Sequence, residues 1–332
     1  MLTIGRIYSS AGAGEYVAQY YADGRETEGA PAWFGRGAEQ LGLARHDRTA
    51  ENIASVLEGR HPADDRALVQ NAGRDGRCMG FDLTLSAPKS VSVGWALGDE
   101  PDRSAIGQAH ESAVRTVVDR LEEGATSRTG KGGKGPAVES GLVGVQATHF
   151  TSRAGDPQLH THVVLANIGV GSDGRTRSLD TRGLFDRQRE LGQVYQQALR
   201  ENLQARGFAV EQDQKNPFSF RLSAVSPDVE QAFSKRSAQV AAGRAAQAER
   251  RGRELTVVER RRATIFTRDK KPEGDSLQAH LAHWRAEGRD LGVGRLDLSQ
   301  PRQPSGPESA RQSGPAQRSD AAQQRQIGGL DR

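Results

Sequence analysis

Two periods of apolar residues run along this chain, one recurring at every second position and one at every third or fourth, and they separate strands from helices. Phe81, Leu83 and Leu85 alternate with Asp82 and Thr84, which predicts a half-buried strand with Asp82 on its polar face. Pro88 cannot donate to a central ladder, so that strand should end near Ala87. A helix then opens over Ser86–Ser90, with Ser86 as a cap and Pro88 in the first turn. Leu2-Thr3-Ile4 predicts a short first strand, followed by a Ser/Gly/Ala turn and a helix over Glu15–Ala22 that Gly24 ends. Gly29–Gly42 reads as a Gly-rich connection holding Trp33, and residues 49–59 as a short helix. Asp102–Glu123 is an amphipathic helix with Ile106, Ala109, Ala113 and Val117 on its apolar stripe and His110 expected at the surface. A second long helix spans Asp186–Arg206, with Leu191, Tyr195, Ala198, Leu199 and Leu203 inward. Phe208–Gln212 and Ser219–Leu222 read as a closing pair of strands. Beyond Pro227 the pattern is helical, and a last helix over Ser276–Leu291 puts Leu277, Leu281 and Trp284 on one face.

The densest pattern lies in His149–Asn167, HFTSRAGDPQLHTHVVLAN. Val163-Val164-Leu165 continues the segment as an apolar, β-branched strand, and Gly141–Thr148 reads as another. Gly155, Asp156 and Pro157 supply turn chemistry between them. Residues i and i+2 of a strand share a face, so His160 and His162 project side by side. Pairing of the two strands as a hairpin brings His149 beside them, and three convergent imidazoles suit a divalent metal. The competing reading is that they are ordinary polar strand residues.

Composition narrows the field. The chain has 332 residues, 46 Lys+Arg and 42 Asp+Glu, a formal net charge of +4. The pI of about 9.4 leans towards a polyanionic partner without establishing one. A single cysteine, Cys78, excludes an internal disulfide and a multi-cysteine zinc site, and favours a reducing compartment. No basic-then-apolar leader opens the sequence, and no apolar run reaches the ~18 residues that a membrane span requires. Gly124–Gly135 superficially suggests a phosphate loop but lacks the Lys-[Ser/Thr] ending, so it reads as a flexible basic loop. Residues 235–271 hold 12 Lys/Arg against 4 Asp/Glu, a local excess of 8, which fits a solvated charged helix or a DNA-embracing arm. From about Gln300 the chain is Pro/Ser/Gln/Arg-rich and should be disordered.

Several of these segments, in this order, resemble one family. They are the N-terminal cluster of Tyr16, Tyr20 and Tyr21; Gly35–Leu43, GRGAEQLGL; Phe81–Ser90, FDLTLSAPKS; the histidine segment; and Ala232–Ser237. Together they resemble the conjugative relaxases of the TrwC/TraI (MobF) type within the HUH endonuclease superfamily, over roughly residues 1–295. The resemblance implies an α+β fold, a central antiparallel sheet flanked by helices. It implies a catalytic core over residues 1–225, a basic helical DNA-embracing extension over 226–295 and a disordered tail over 296–332. It also implies a reaction in which a tyrosine attacks a phosphodiester at the nick site of a transfer origin. A 5′-phosphotyrosyl link and a free 3′-hydroxyl result, and reversal rejoins the strand without ATP.

On this resemblance His149, His160 and His162 hold a divalent metal, Mg²⁺ or Mn²⁺, although three imidazoles also suit Zn²⁺ or Ni²⁺. Asp82 is placed beside a metal-bound histidine and helps deprotonate the attacking phenol, whose ordinary pKa is ~10. Tyr16 is the first choice of nucleophile, with Tyr20 and then Tyr21 after it; a register that puts Tyr20-Tyr21 in the first pair stays open. Arg153 and Lys89 are placed to meet phosphates, Lys89 at a helix start, where plain strand–helix punctuation is the other reading. The implied partners are single-stranded and hairpin DNA of a transfer origin, relaxosome accessory proteins and a type IV secretion coupling protein. A bacterial cytoplasmic monomer that reaches the recipient cell with its DNA is the expected setting. With no Walker A motif, the chain is expected to nick and rejoin DNA but not to unwind it. Three other readings are a rolling-circle initiator or transposase of the same superfamily, a three-histidine metal hydrolase, and a non-catalytic origin-binding protein.

Overall fold

The computed structural model describes residues 1–9, 31–214, 216–256, 259–260, 263, 276–294 and 296–299. The helix expected over Glu15–Ala22, with Tyr16, Tyr20 and Tyr21, lies outside the described residues, as does the tail from 300 onwards. The long strands β1 (Leu2–Tyr8), β3 (Cys78–Ser86), β5 (Val138–Thr151) and β6 (Pro157–Gly171) build one antiparallel sheet. With β2 (Ala32–Phe34) its order is β1-β3-β6-β5-β2, while the two-residue strands β4 (Thr126–Ser127) and β7 (Thr176–Arg177) pair with β5 and β6. The most central strand, β6, is buried on both faces along Thr161–Gly171, which explains its unbroken apolar run.

One face is covered by α3 (Lys89–Leu97), α4 (Glu100–Glu122), α5 (Gln188–Ala205) and the later α8 (Leu277–Asp290). Leu83, Leu85, Val163 and Leu165 meet Ile106, Ala113, Val117, Leu191, Leu199 and Trp284 there in the larger core. The opposite face carries a smaller core under α1 (Arg36–Gln40) and α2 (Ala50–Glu58), built on Val143, Val145, Val164, Ala166 and Ile168. Beyond those short helices this second face bears the polar residues of β3, β5 and β6. Phe233, Leu281 and Trp284, from the expected extension, sit in the larger core alongside residues of 1–225, and Met1–Pro301 packs as one unit.

Four expectations need correction. Gly29–Gly42 is not a plain connection: it contains β2 and α1, and β2 pairs Trp33 with Val145. Ser86 does not cap α3; it is the last residue of β3, and Pro88 stands at the cap position without a side-chain bond. Gly124–Gly135 is partly ordered, with β4 zipped onto β5 and Ser127 fully buried against the Ser140 hydroxyl. His110 is not at the surface but 1 % exposed inside the larger core. The first strand also runs four residues further than the Leu2–Ile4 pattern indicates, paired along β3 as far as Tyr8↔Cys78. The closing strands β8 (Val210–Gln212) and β9 (Phe220–Leu222) form their own two-stranded sheet, followed by α6 (Pro227–Ala232) and the basic α7 (Lys235–Arg251).

Candidate metal centre and DNA-processing site

The hairpin β5–β6 sets His149 directly opposite His160, and Ala147 opposite His162. Directly opposed residues share a face, so all three imidazoles emerge on the face away from α4 and α5. Their ring centroids stand 5.0–5.4 Å apart. One ring nitrogen from each lies within 4.8 Å of the others. His149 is 1 % and His162 8 % exposed, with His160 somewhat more open.

Two of these rings have their orientation fixed from behind. The Nδ1 of His160 donates to the Gln158 carbonyl at 2.8 Å, and that of His162 donates to the Asp82 carboxylate at 2.8 and 3.0 Å. An imidazole that spends its Nδ1 proton in this way keeps a lone pair on Nε2, the arrangement found behind metal-bound histidines. Asp82 reaches His162 because β3 pairs with β6 in a register that places Thr84 opposite His162 and Asp82 two residues along, on the same face. The donor set therefore fits a divalent metal ion, three neutral nitrogens with one carboxylate held behind them.

The FDLTLSAPKS segment has a second task at the start of β6. The Ala87 amide donates to the Leu159 carbonyl and, two residues past the segment in α3, the Ser92 hydroxyl accepts from the Leu159 amide, both at 3.0 Å. Lys89 is not a free cation at a helix start: its ammonium donates to the Pro157 carbonyl at 2.8 Å, and burial lowers its pKa to about 8. Leu159 and Pro157 bracket the residue whose carbonyl orients His160, so this segment anchors the ligand strand at its origin.

The turn at 152–156 is clasped as well. Asp156, 1 % exposed, accepts from the Arg236 amide in the first turn of α7 at 3.2 Å, and burial raises its pKa. A carboxylate there also faces the positive end of the helix dipole. Trp284 of α8 donates its indole N–H to the Gly155 carbonyl at 2.7 Å. Arg153 sits partly exposed in this turn, between the strands that carry His149 and His160. None of these turn contacts was read from the sequence; the signal available was Asp156 itself, an acidic residue within the tightest motif of the chain.

An antiparallel sheet with its larger core under helices on one face, and three histidines backed by an aspartate converging on the other, is the arrangement that the resemblance to HUH endonucleases implies. Residues 6–291 match the TrwC relaxase family model. The chain is 33 % identical over 305 residues to the multifunctional conjugation protein TraI of Escherichia coli, an alignment that covers 88 % of this chain but 16 % of TraI. It thus spans a small part of the length of that relative. In structure it is similar to the conjugative relaxase TrwC in complex with oriT DNA in a metal-bound state, with a TM-score of 0.76 and 30 % identity over 89 % of this chain and 99 % of that one. TrwC complexed with a 27-mer DNA comprising the recognition hairpin and the cleavage site matches at a TM-score of 0.74, with 30 % identity and the same coverage. The chain belongs to the TrwC relaxase family, whose members are DNA-nicking enzymes of conjugation.

Proposed function

We propose that this chain cuts and rejoins one strand at a transfer origin through a phosphotyrosyl link, with Tyr16 as the first nucleophile. The observation that carries the reading is the convergence of His149, His160 and His162 on the open face of the sheet, with Asp82 bonded to His162. A divalent metal held by His149, His160 and His162 would supply positive charge to polarise the oxygens of a scissile phosphate. Mg²⁺ or Mn²⁺ is the physiological choice we favour.

The chain's own residues do the rest. Asp82 holds the His162 ring in the tautomer that presents Nε2, and the Gln158 carbonyl does the same for His160. The phenol oxygen attacks phosphorus as its proton passes to the Asp82 carboxylate or to water beside it; the P–O3′ bond breaks, and the 3′-oxygen takes up one proton from that same pool as it departs as a hydroxyl. Attack by that hydroxyl on the phosphotyrosine reverses the step and restores the strand. Topology supports a tyrosine from the 10–30 segment in this role. That segment joins β1 to β2, which lie at opposite ends of the main strand order. It is followed by β2, whose first residue, Ala32, is paired with Gln146, three positions before His149. Tyr20 and Tyr21 lie close enough in sequence to serve a second transfer event.

The DNA in this reading carries a hairpin and a nick site on single-stranded DNA; the 27-mer complexed with TrwC comprises a recognition hairpin and a cleavage site. Arg153 in the hairpin turn is placed to meet a phosphate near the metal. Accessory proteins of the relaxosome and a secretion coupling protein complete the same reading. The test is to incubate single Tyr→Phe variants with an origin oligonucleotide and score covalent adduct. Tyr16→Phe should lose the adduct; undiminished adduct would sink the assignment to Tyr16.

A further inference from the structure

On the far side of the sheet, directly beneath the three histidines, lies a buried chain of polar side chains. The Tyr195 hydroxyl of α5 bonds to Nδ1 of His110 of α4 at 2.7 Å, and Nε2 of His110 bonds to the Thr161 hydroxyl at 2.8 Å. The Thr161 hydroxyl in turn bonds to that of Thr148 across the β5–β6 ladder at 2.8 Å. Tyr195, His110 and Thr161 are 0 %, 1 % and 2 % exposed.

Placement makes this chain unusual. Thr161 is the residue between His160 and His162, and Thr148 is the residue before His149. Neighbouring strand residues point to opposite faces, so the two threonines hang from the backbone units that carry the three imidazoles. We propose that His110 is a positioning residue of the metal centre: held by Tyr195 and bonded to Thr161, it fixes the roll of the strand segment between His160 and His162 and, through Thr148, that of His149. This inference rests on the metal-centre reading above and adds residues that have no place in it.

Packing alone does not explain His110. It lies between Ile106 and Ala113 on a fully buried stripe, where a leucine would bring no polar atom of its own but would take from the buried Tyr195 hydroxyl its bond to the imidazole. A buried imidazole is costly unless its nitrogens are bonded, and here both are. The Thr161 hydroxyl is carried on Cβ, directly next to the main chain, so its bond to His110 constrains the strand backbone closely. Phe150, stacked on Trp95 with ring centroids 4.6 Å apart, pins the other side of His149 to the same helical layer. The ligand strands are therefore held to the helices at the positions that flank the ligands.

The test uses the full chain, stripped of metal by chelation and titrated with Mn²⁺ by calorimetry, with thermal melts of each variant in metal-free buffer. Thr161→Val removes the hydroxyl at nearly constant shape, His110→Leu removes the imidazole, and Thr161→Ser restores the bond. Thr161→Val and His110→Leu should weaken Mn²⁺ binding by about tenfold, the lower end of what loss of an outer-shell partner costs. Thr161→Ser should bind within about twofold of the wild type. Wild-type affinity in Thr161→Val would overturn the proposal, even if its melting temperature fell, because that is the signature of a purely structural role. If His110→Leu does not fold, Thr161→Val decides alone. Absence of Mn²⁺ binding by the wild type would remove the metal centre itself, an outcome distinct from equal binding by all variants.

Discussion

The contact between Asp82 and His162 is where chemistry and fold meet most closely. Removing the carboxylate leaves the ring free to turn and to carry its proton on either nitrogen. Asp82→Ala should weaken metal binding by roughly 10–100-fold, measured by calorimetry, while the melting temperature of the metal-free protein changes little. His110 gives a pH prediction. Burial pushes its imidazole down to about 3, whereas the unfolded chain protonates it near the ordinary ~6.5. Between those values the unfolded state binds more protons, so this group's contribution to stability is full above pH ~6.5 and is lost as pH falls towards 3. Urea unfolding of the metal-free chain at pH ~7 and ~4.5 should show a smaller acid loss in His110→Leu than in the wild type. The period-2 pattern put His160 and His162 on one face and Asp82 on the polar face of its strand, and hairpin pairing added His149; that Asp82 stands beside one of these histidines was legible only through the family resemblance. His110 was not legible: a polar residue on a helix reads as surface, and its partners lie 51 and 85 positions away.

At the scale of elements, GRGAEQLGL and the C-terminal helices prove to be packing devices. In GRGAEQLGL, Gly35 has φ 95°, and a Cβ on Gly37 would stand 2.5 Å from the Gly141 carbonyl oxygen. These glycines let α1 lie backbone to backbone on β5. Gly37→Ala should therefore cost about 1–3 kcal/mol through forced separation, seen as a lower urea midpoint with an unchanged slope. The need for glycine comes from a neighbour more than a hundred residues away, so local reading gave only a loop. The C-terminal helices were legible as helices, and Leu281 and Trp284 as their inward face. Their attachment was not, because Trp284 bonds to Gly155 and Asp156 to the start of α7 across long stretches of chain. Trp284→Ala should destabilise by about 3–5 kcal/mol through its cavity, with Trp284→Phe costing less; thermal melts compare them. In the latter variant, faster hydrogen exchange at 152–156 would report the lost indole bond.

For the whole molecule, the layering separates two tasks. The face under α3, α4, α5 and α8 supplies the larger core, while the opposite face carries the smaller core under α1 and α2 and, beyond it, the polar residues of β3, β5 and β6. The metal centre sits where the most deeply buried strand begins, so the rigid layer behind it sets its geometry. If Arg153 meets a phosphate there, Arg153→Ala should weaken binding of a hairpin oligonucleotide and reduce the slope of log affinity against log salt by about 1. Fluorescence anisotropy across a salt series measures both. The most direct measurement is covalent capture of a nick-site oligonucleotide by the purified chain, resolved on a denaturing gel. Runs with Mn²⁺, with EDTA, and with the three tyrosines at 16, 20 and 21 changed to Phe complete it. A protein–DNA band that requires both metal and tyrosine is expected; cleavage that persists in the triple Tyr→Phe variant without an adduct would contradict the phosphotyrosyl mechanism.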